Sequence, residues 1–87
     1  MELREAANLA AYEFLATQYR QVRDSDVGLV RNIILDRLYA SPASPNFIEE
    51  TLQNPSYKRA VTRLLKRMKP EFVEIMDRTF ELYRDMG

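Results

Sequence analysis

Apolar residues recur along this chain at intervals of three and four, the spacing that stacks side chains on one side of an α-helix. Proline and capping residues cut that pattern into five segments. The first, Glu2–Val22, carries Leu3, Ala7, Ala10 and Phe14 on one side. Leu9, Tyr12, Ala16 and Tyr19 lie on another side, with Leu15 and Val22 between the two. A helix apolar around most of its girth is covered on more than one face. Two readings stay open for it, a central position in the fold or a surface for self-association.

Arg23-Asp24-Ser25-Asp26 marks the first break, with Asp24 or Ser25 as the expected cap and Asp26 placed to complement the helix dipole. The second helix, Asp26–Tyr39, holds Val27, Val30, Ile33, Ile34, Leu35 and Leu38, the most apolar set in the chain and the expected centre of the core. Gly28 near its start reads as a residue tolerated in a first turn. Ser44-Pro45 and Asn54-Pro55 repeat a cap-then-proline device. They open a short third helix, Pro45–Gln53, and a fourth, Pro55–Met68. Lys69-Pro70 breaks the chain again, and a fifth helix runs from Pro70 to Asp85. Period-two alternation and Asn-Gly or Asp-Gly turns are absent. The expected fold is all-α, a compact orthogonal array of about five helices in one domain, residues 1–87.

Composition agrees with a folded helical chain. In 87 residues, 46% are hydrophobic and 30% charged, with only two glycines and four prolines. The net charge is zero, so only local clustering of charge can steer binding. The stretch Met1–Leu15 contains Glu2, Glu5 and Glu13 and lacks the pattern of a signal or transit peptide. No segment approaches the roughly 20 apolar residues of a membrane span. Cytoplasmic localisation follows by elimination.

The chain has no histidine and no cysteine, which removes the commonest general base, metal ligand and nucleophile. Ser25, Ser41, Ser44 and Ser56 all adjoin prolines or aspartates at helix starts, where capping accounts for them. Glu71, Glu74, Asp77, Glu81 and Asp85 recur along the fifth helix as a carboxylate set that a divalent cation could use. The simpler reading makes them the solvated back of a helix that buries Phe72, Ile75, Met76, Thr79, Leu82, Tyr83 and Met86. Glu74 and Arg78 form an expected i,i+4 pair on that back. The expectation is no enzyme, no metal and no cofactor.

The fourth helix is the informative one. Between Lys58 and Lys69 stand six cations, Lys58, Arg59, Arg63, Lys66, Arg67 and Lys69, and no acid. Tyr57, Ala60, Val61, Leu64, Leu65 and Met68 take the opposite side, giving an amphipathic helix with an unbroken cationic face. That face is either solvated, neutralised by the acidic fifth helix, or a contact surface. As a contact surface it points to a protein-interaction module, an adaptor, inhibitor or regulatory subunit gripping an acidic surface of a partner protein.

The alternative is weak backbone contact with nucleic acid through the same helix. It ranks second because the chain is neutral overall and Lys58–Lys69 contains no Asn or Gln for reading base edges. The tight join Gln53-Asn54-Pro55 also differs from the three- to four-residue turn of a helix-turn-helix motif. A lipid surface is a poorer fit still, since the apolar side is aliphatic and the chain has no tryptophan.

Leu82-Tyr83-Arg84 resembles the tripeptide mark of the LYR family of mitochondrial assembly factors. In that family the tripeptide sits near the start of the first helix, whereas here it stands at the end of the chain. The resemblance covers three residues and assigns no family.

Overall fold

Four α-helices carry the chain through the residues that the computed structural model describes, 2–38 and 55–86. They are α1 (Leu3–Gln18), α2 (Asp24–Leu38), α3 (Pro55–Met68) and α4 (Phe72–Met86), the last two joined by a 3-10 turn, Lys69–Glu71. No strand occurs among the described residues. The short helix expected over Pro45–Gln53 lies outside them. The radius of gyration is 12.6 Å, near the ~12 Å expected for a folded chain of this length. The least dimension, 22 Å, is about two helix diameters, so the array is two helices thick.

The element that both α2 and α4 pack against is α1. Its inward side is lined by Ala6, Ala7, Ala10 and Ala11, all between 0 and 2% exposed, with Phe14 and Leu15 below them. Methyl side chains let a neighbouring helix axis approach closely, and α1 uses this on two sides at once. The bulk comes from the neighbours. Val30, Ile33 and Ile34 of α2 are fully buried, as are Val61, Leu64 and Met68 of α3, and Ile75 of α4 joins the same cluster. The central helix is therefore α1, while α2 supplies the largest share of the branched aliphatic core.

Helix boundaries differ from the sequence expectation at three places, each for a local reason. Helix α1 ends at Gln18 rather than Val22, because the chain turns extended at Tyr19 (φ −135°, ψ 146°). Of the four residues that follow, Arg20–Arg23, only Val22 packs on the core, so nothing repays further winding. Helix α2 starts at Asp24, two residues earlier than expected. The carbonyl of Arg23 accepts the N–H groups of Asp26 and Val27, both at 3.0 Å, which puts Arg23 at the cap position and Asp24, Ser25 and Asp26 in the first turn. Lys69-Pro70 does not interrupt the helical path. Met68 and Phe72 both keep right-handed helical dihedrals, and the 3-10 turn between them absorbs the proline that an α-helix interior would reject.

Gly28 sits inside α2 without a positive φ. An added Cβ there would meet only the end of the Arg31 side chain, Nη2 at 3.7 Å, an ordinary contact. No close helix approach depends on this glycine. Gly28→Ala is expected to raise stability by about 0.5–1 kcal/mol through the lost backbone entropy of the unfolded chain. Urea denaturation would show it as a higher midpoint with an unchanged slope.

Candidate functional site

The cationic helix α3 is placed by its opposite side. Val61, Leu64 and Met68 are fully buried, with Ala60 and Leu65 half-buried, which fixes the rotation of the helix about its axis. Lys58, Arg59, Arg63, Lys66 and Arg67 are thereby turned outward, and Lys69 follows in the 3-10 turn. All six are exposed. With them, Thr62 stands in the middle of the face, and Pro55, Lys58, Arg59, Thr62, Arg63 and Lys66 line a shallow concavity of about 600 Å³.

The six cations are not equivalent. Arg63 reaches Asp26 in the first turn of α2, Nη2 to Oδ1 at 3.6 Å, where the carboxylate is 16% exposed and the guanidinium 51%. The Arg67 guanidinium lies over the ring of Tyr19, 5.1 Å from its centre, a cation–π contact with the residue that follows α1. Both therefore anchor one edge of α3 to the α1–α2 corner. Lys58, Arg59, Lys66 and Lys69 have no carboxylate within 4 Å among the described residues. Sequence spacing brings all six to one face, and the fold then divides them into two anchors and four free charges. Asp26 and Tyr19 are the residues that spacing alone could not pair with the face.

The acids of α4 do not neutralise this face. No ion pair among the described residues joins an α3 cation to an α4 acid. Glu71, Glu74, Asp77, Glu81 and Asp85 are all exposed. Arg78 sits among them but pairs elsewhere than expected. Its Nε and Nη2 donate to the two carboxylate oxygens of Glu13 on α1, at 2.8 and 3.0 Å, and Nη1 donates to Glu81 at 2.9 Å. The i,i+4 pair with Glu74 is not formed, because the two-pronged bond to Glu13 matches the guanidinium fork and Glu81 takes the remaining edge. Among the described residues no three carboxylates are grouped to hold a metal ion, and no helix is long and apolar enough to cross a membrane.

The buried side of α4 also departs from expectation. Ile75 and Thr79 are buried, the Thr79 hydroxyl donating to the Ile75 carbonyl at 2.9 Å, and Phe72, Met76 and Leu82 pack partly on the core. Tyr83, expected in that stripe, is 44% exposed, and Val73 and Phe80 are more exposed still. On α1, Leu9 and Tyr12 remain 39% and 54% exposed, so its second apolar side faces outward while the alanine side is buried.

No family model matches the chain, and neither does any curated protein or solved structure.

Two expectations follow from these contacts. The guanidinium of Arg78 holds the Glu13 carboxyl below its ordinary value, chiefly through the hydrogen bonds between them. A lowered carboxylate pKa stabilises the fold fully above the unfolded value, and that contribution is lost as pH falls through the folded one. Glu13→Gln should therefore lower the thermal midpoint at neutral pH, and the gap from the native chain should narrow as pH falls below the ordinary carboxylate range. Tyr19 tests the corner: its hydroxyl is buried and meets no hydrogen-bond partner among the described residues. Tyr19→Phe keeps a ring for Arg67 and removes an unsatisfied group, so stability should hold or rise by up to about 1 kcal/mol in chemical denaturation.

Proposed function

We propose that this chain is a small helical interaction module that grips an acidic surface of a partner protein through α3, as an adaptor, inhibitor or regulatory subunit does. The observation that carries the reading is the set of four outward cations, Lys58, Arg59, Lys66 and Lys69, without a carboxylate partner among the described residues. Like charges along one helix face repel, and an acidic partner relieves that repulsion while steering the encounter. Arg63 and Arg67 belong to the same face but serve first to seat it, through Asp26 and Tyr19. Arg59 and Lys66 are the residues whose loss should remove binding without disturbing the fold.

The neutral total charge favours a protein partner over a nucleic acid. A phosphate backbone rewards broad positive potential, whereas here the acids of α4 and of α1 share the molecule with the cationic face. A glutamate-rich helical peptide and a duplex oligonucleotide separate the two classes when titrated at about 25 mM and about 150 mM salt. The expected result is binding to the peptide that Arg59→Glu with Lys66→Glu weakens at least about tenfold, the thermal midpoint remaining near that of the native chain. Tighter binding to the oligonucleotide than to the peptide would transfer α3 to nucleic-acid contact. Failure to bind either at low salt would remove the cationic face as a binding surface.

A further inference from the structure

The cations of α3 and the acids of α4 are both exposed, and within one chain the fold keeps them apart. Val61, Leu64 and Met68 of α3 and Ile75 of α4 belong to one buried cluster, so both helices turn apolar sides to the same core and charged sides away from it. Lys58, Arg59, Lys66 and Lys69 have no carboxylate within 4 Å among the described residues. Glu71, Glu74 and Asp77 have no cation within that distance among the same residues. Opposite charges that cannot meet inside one molecule are free to meet between two.

The acidic stripe keeps its sign when its basic neighbours are counted. Arg78 lies among the acids, but it bonds to Glu13 and Glu81, two carboxylates against one guanidinium. Arg84, at the far end, is offset by Asp85 at 3.9 Å. On α3 no acid dilutes the cationic face, since Lys58–Lys69 contains none.

Spacing matches the two faces. Arg59 and Lys66 are seven residues apart on α3, and Glu74 and Glu81 are seven apart on α4. Seven residues rise about 10.5 Å and return to nearly the same side of a helix. Each pair therefore stands in line, and one helix laid along the other brings both cations to both acids. Asp77 lies between the two acids as a third contact. Glu81 accepts from Arg78 through Oε1, and its second oxygen has no such bond.

We infer that a second copy of this chain is an acidic partner of α3: Arg59 and Lys66 of one copy seat against Glu74, Asp77 and Glu81 of α4 on another. The inference rests on the reading of α3 as a contact surface. Two different faces meet, so the contact is head-to-tail. Exposed ion pairs are individually weak and screened by salt, so the association is weak and dissolves at high ionic strength.

Sedimentation equilibrium of the full chain from about 10 to about 500 µM tests this. At about 25 mM salt the mass should rise above one chain, and at about 500 mM salt it should return to one. Arg59→Gln with Lys66→Gln should weaken the association at least about fivefold. So should Glu74→Gln with Asp77→Asn, which leaves the bonds of Arg78 intact. All four positions are exposed, so the thermal midpoints should stay near that of the native chain. Mixing the two double variants should recover association, because the intact α4 of one meets the intact α3 of the other. A one-chain mass throughout at low salt overturns the inference, as does a mixture no tighter than its components. Association unchanged at high salt also overturns it and assigns the contact to exposed apolar side chains. A monomeric chain that still binds the glutamate-rich peptide overturns this inference alone and leaves the α3 reading standing.

Discussion

Close approach to α1 is the constraint on which the rest of this structure depends. Ala6, Ala7, Ala10 and Ala11 present little more than methyl groups, and the larger side chains of α2, α3 and α4 fill the space they leave. A chain this small removes a limited fraction of its surface from water, so it gains most by letting one helix serve as a shared wall for two others. Enlarging any of these alanines would push α2 or α4 outward and open the packing around Val30, Ile33 and Ile75. The two-pronged bond from Arg78 to Glu13 closes the α1–α4 wall at its solvent edge, adding direction to a contact that methyl groups alone leave free to slide.

The position of α3 follows from that wall. Its buried row, Val61, Leu64 and Met68, has one place to go, against the cluster built on α1 and α2. Burial of that row sets the rotation, and the two contacts at the α1–α2 corner add to it at one edge. Asp26 is available to Arg63 because α2 begins two residues early, and the Tyr19 ring is available to Arg67 because α1 stops early and the backbone turns extended there. The residues at these two helix boundaries therefore meet the edge of a helix that its buried row already seats. The charges on it that have no carboxylate partner among the described residues are a consequence of packing, since no acid of α4 pairs with them.

Local pattern made part of this legible. Helix α3 begins and ends where proline and apolar spacing place it, and its six cations share a face because spacing of three and four leaves no other arrangement. The all-helical class is equally visible in the absence of alternation. Pairings between distant segments were not. Arg78 has acids three and four residues away on its own helix, yet it bonds to Glu13, 65 residues away in sequence. Nor could periodicity decide between the two apolar sides of α1. Four small residues on one side and Leu9, Tyr12 and Ala16 on the other look equally buriable until a neighbour's bulk is considered. The alanine side wins because large side chains already come from α2 and α4. The same accounting explains α4, where an apolar arc wider than the core can cover leaves Val73, Phe80 and Tyr83 outside.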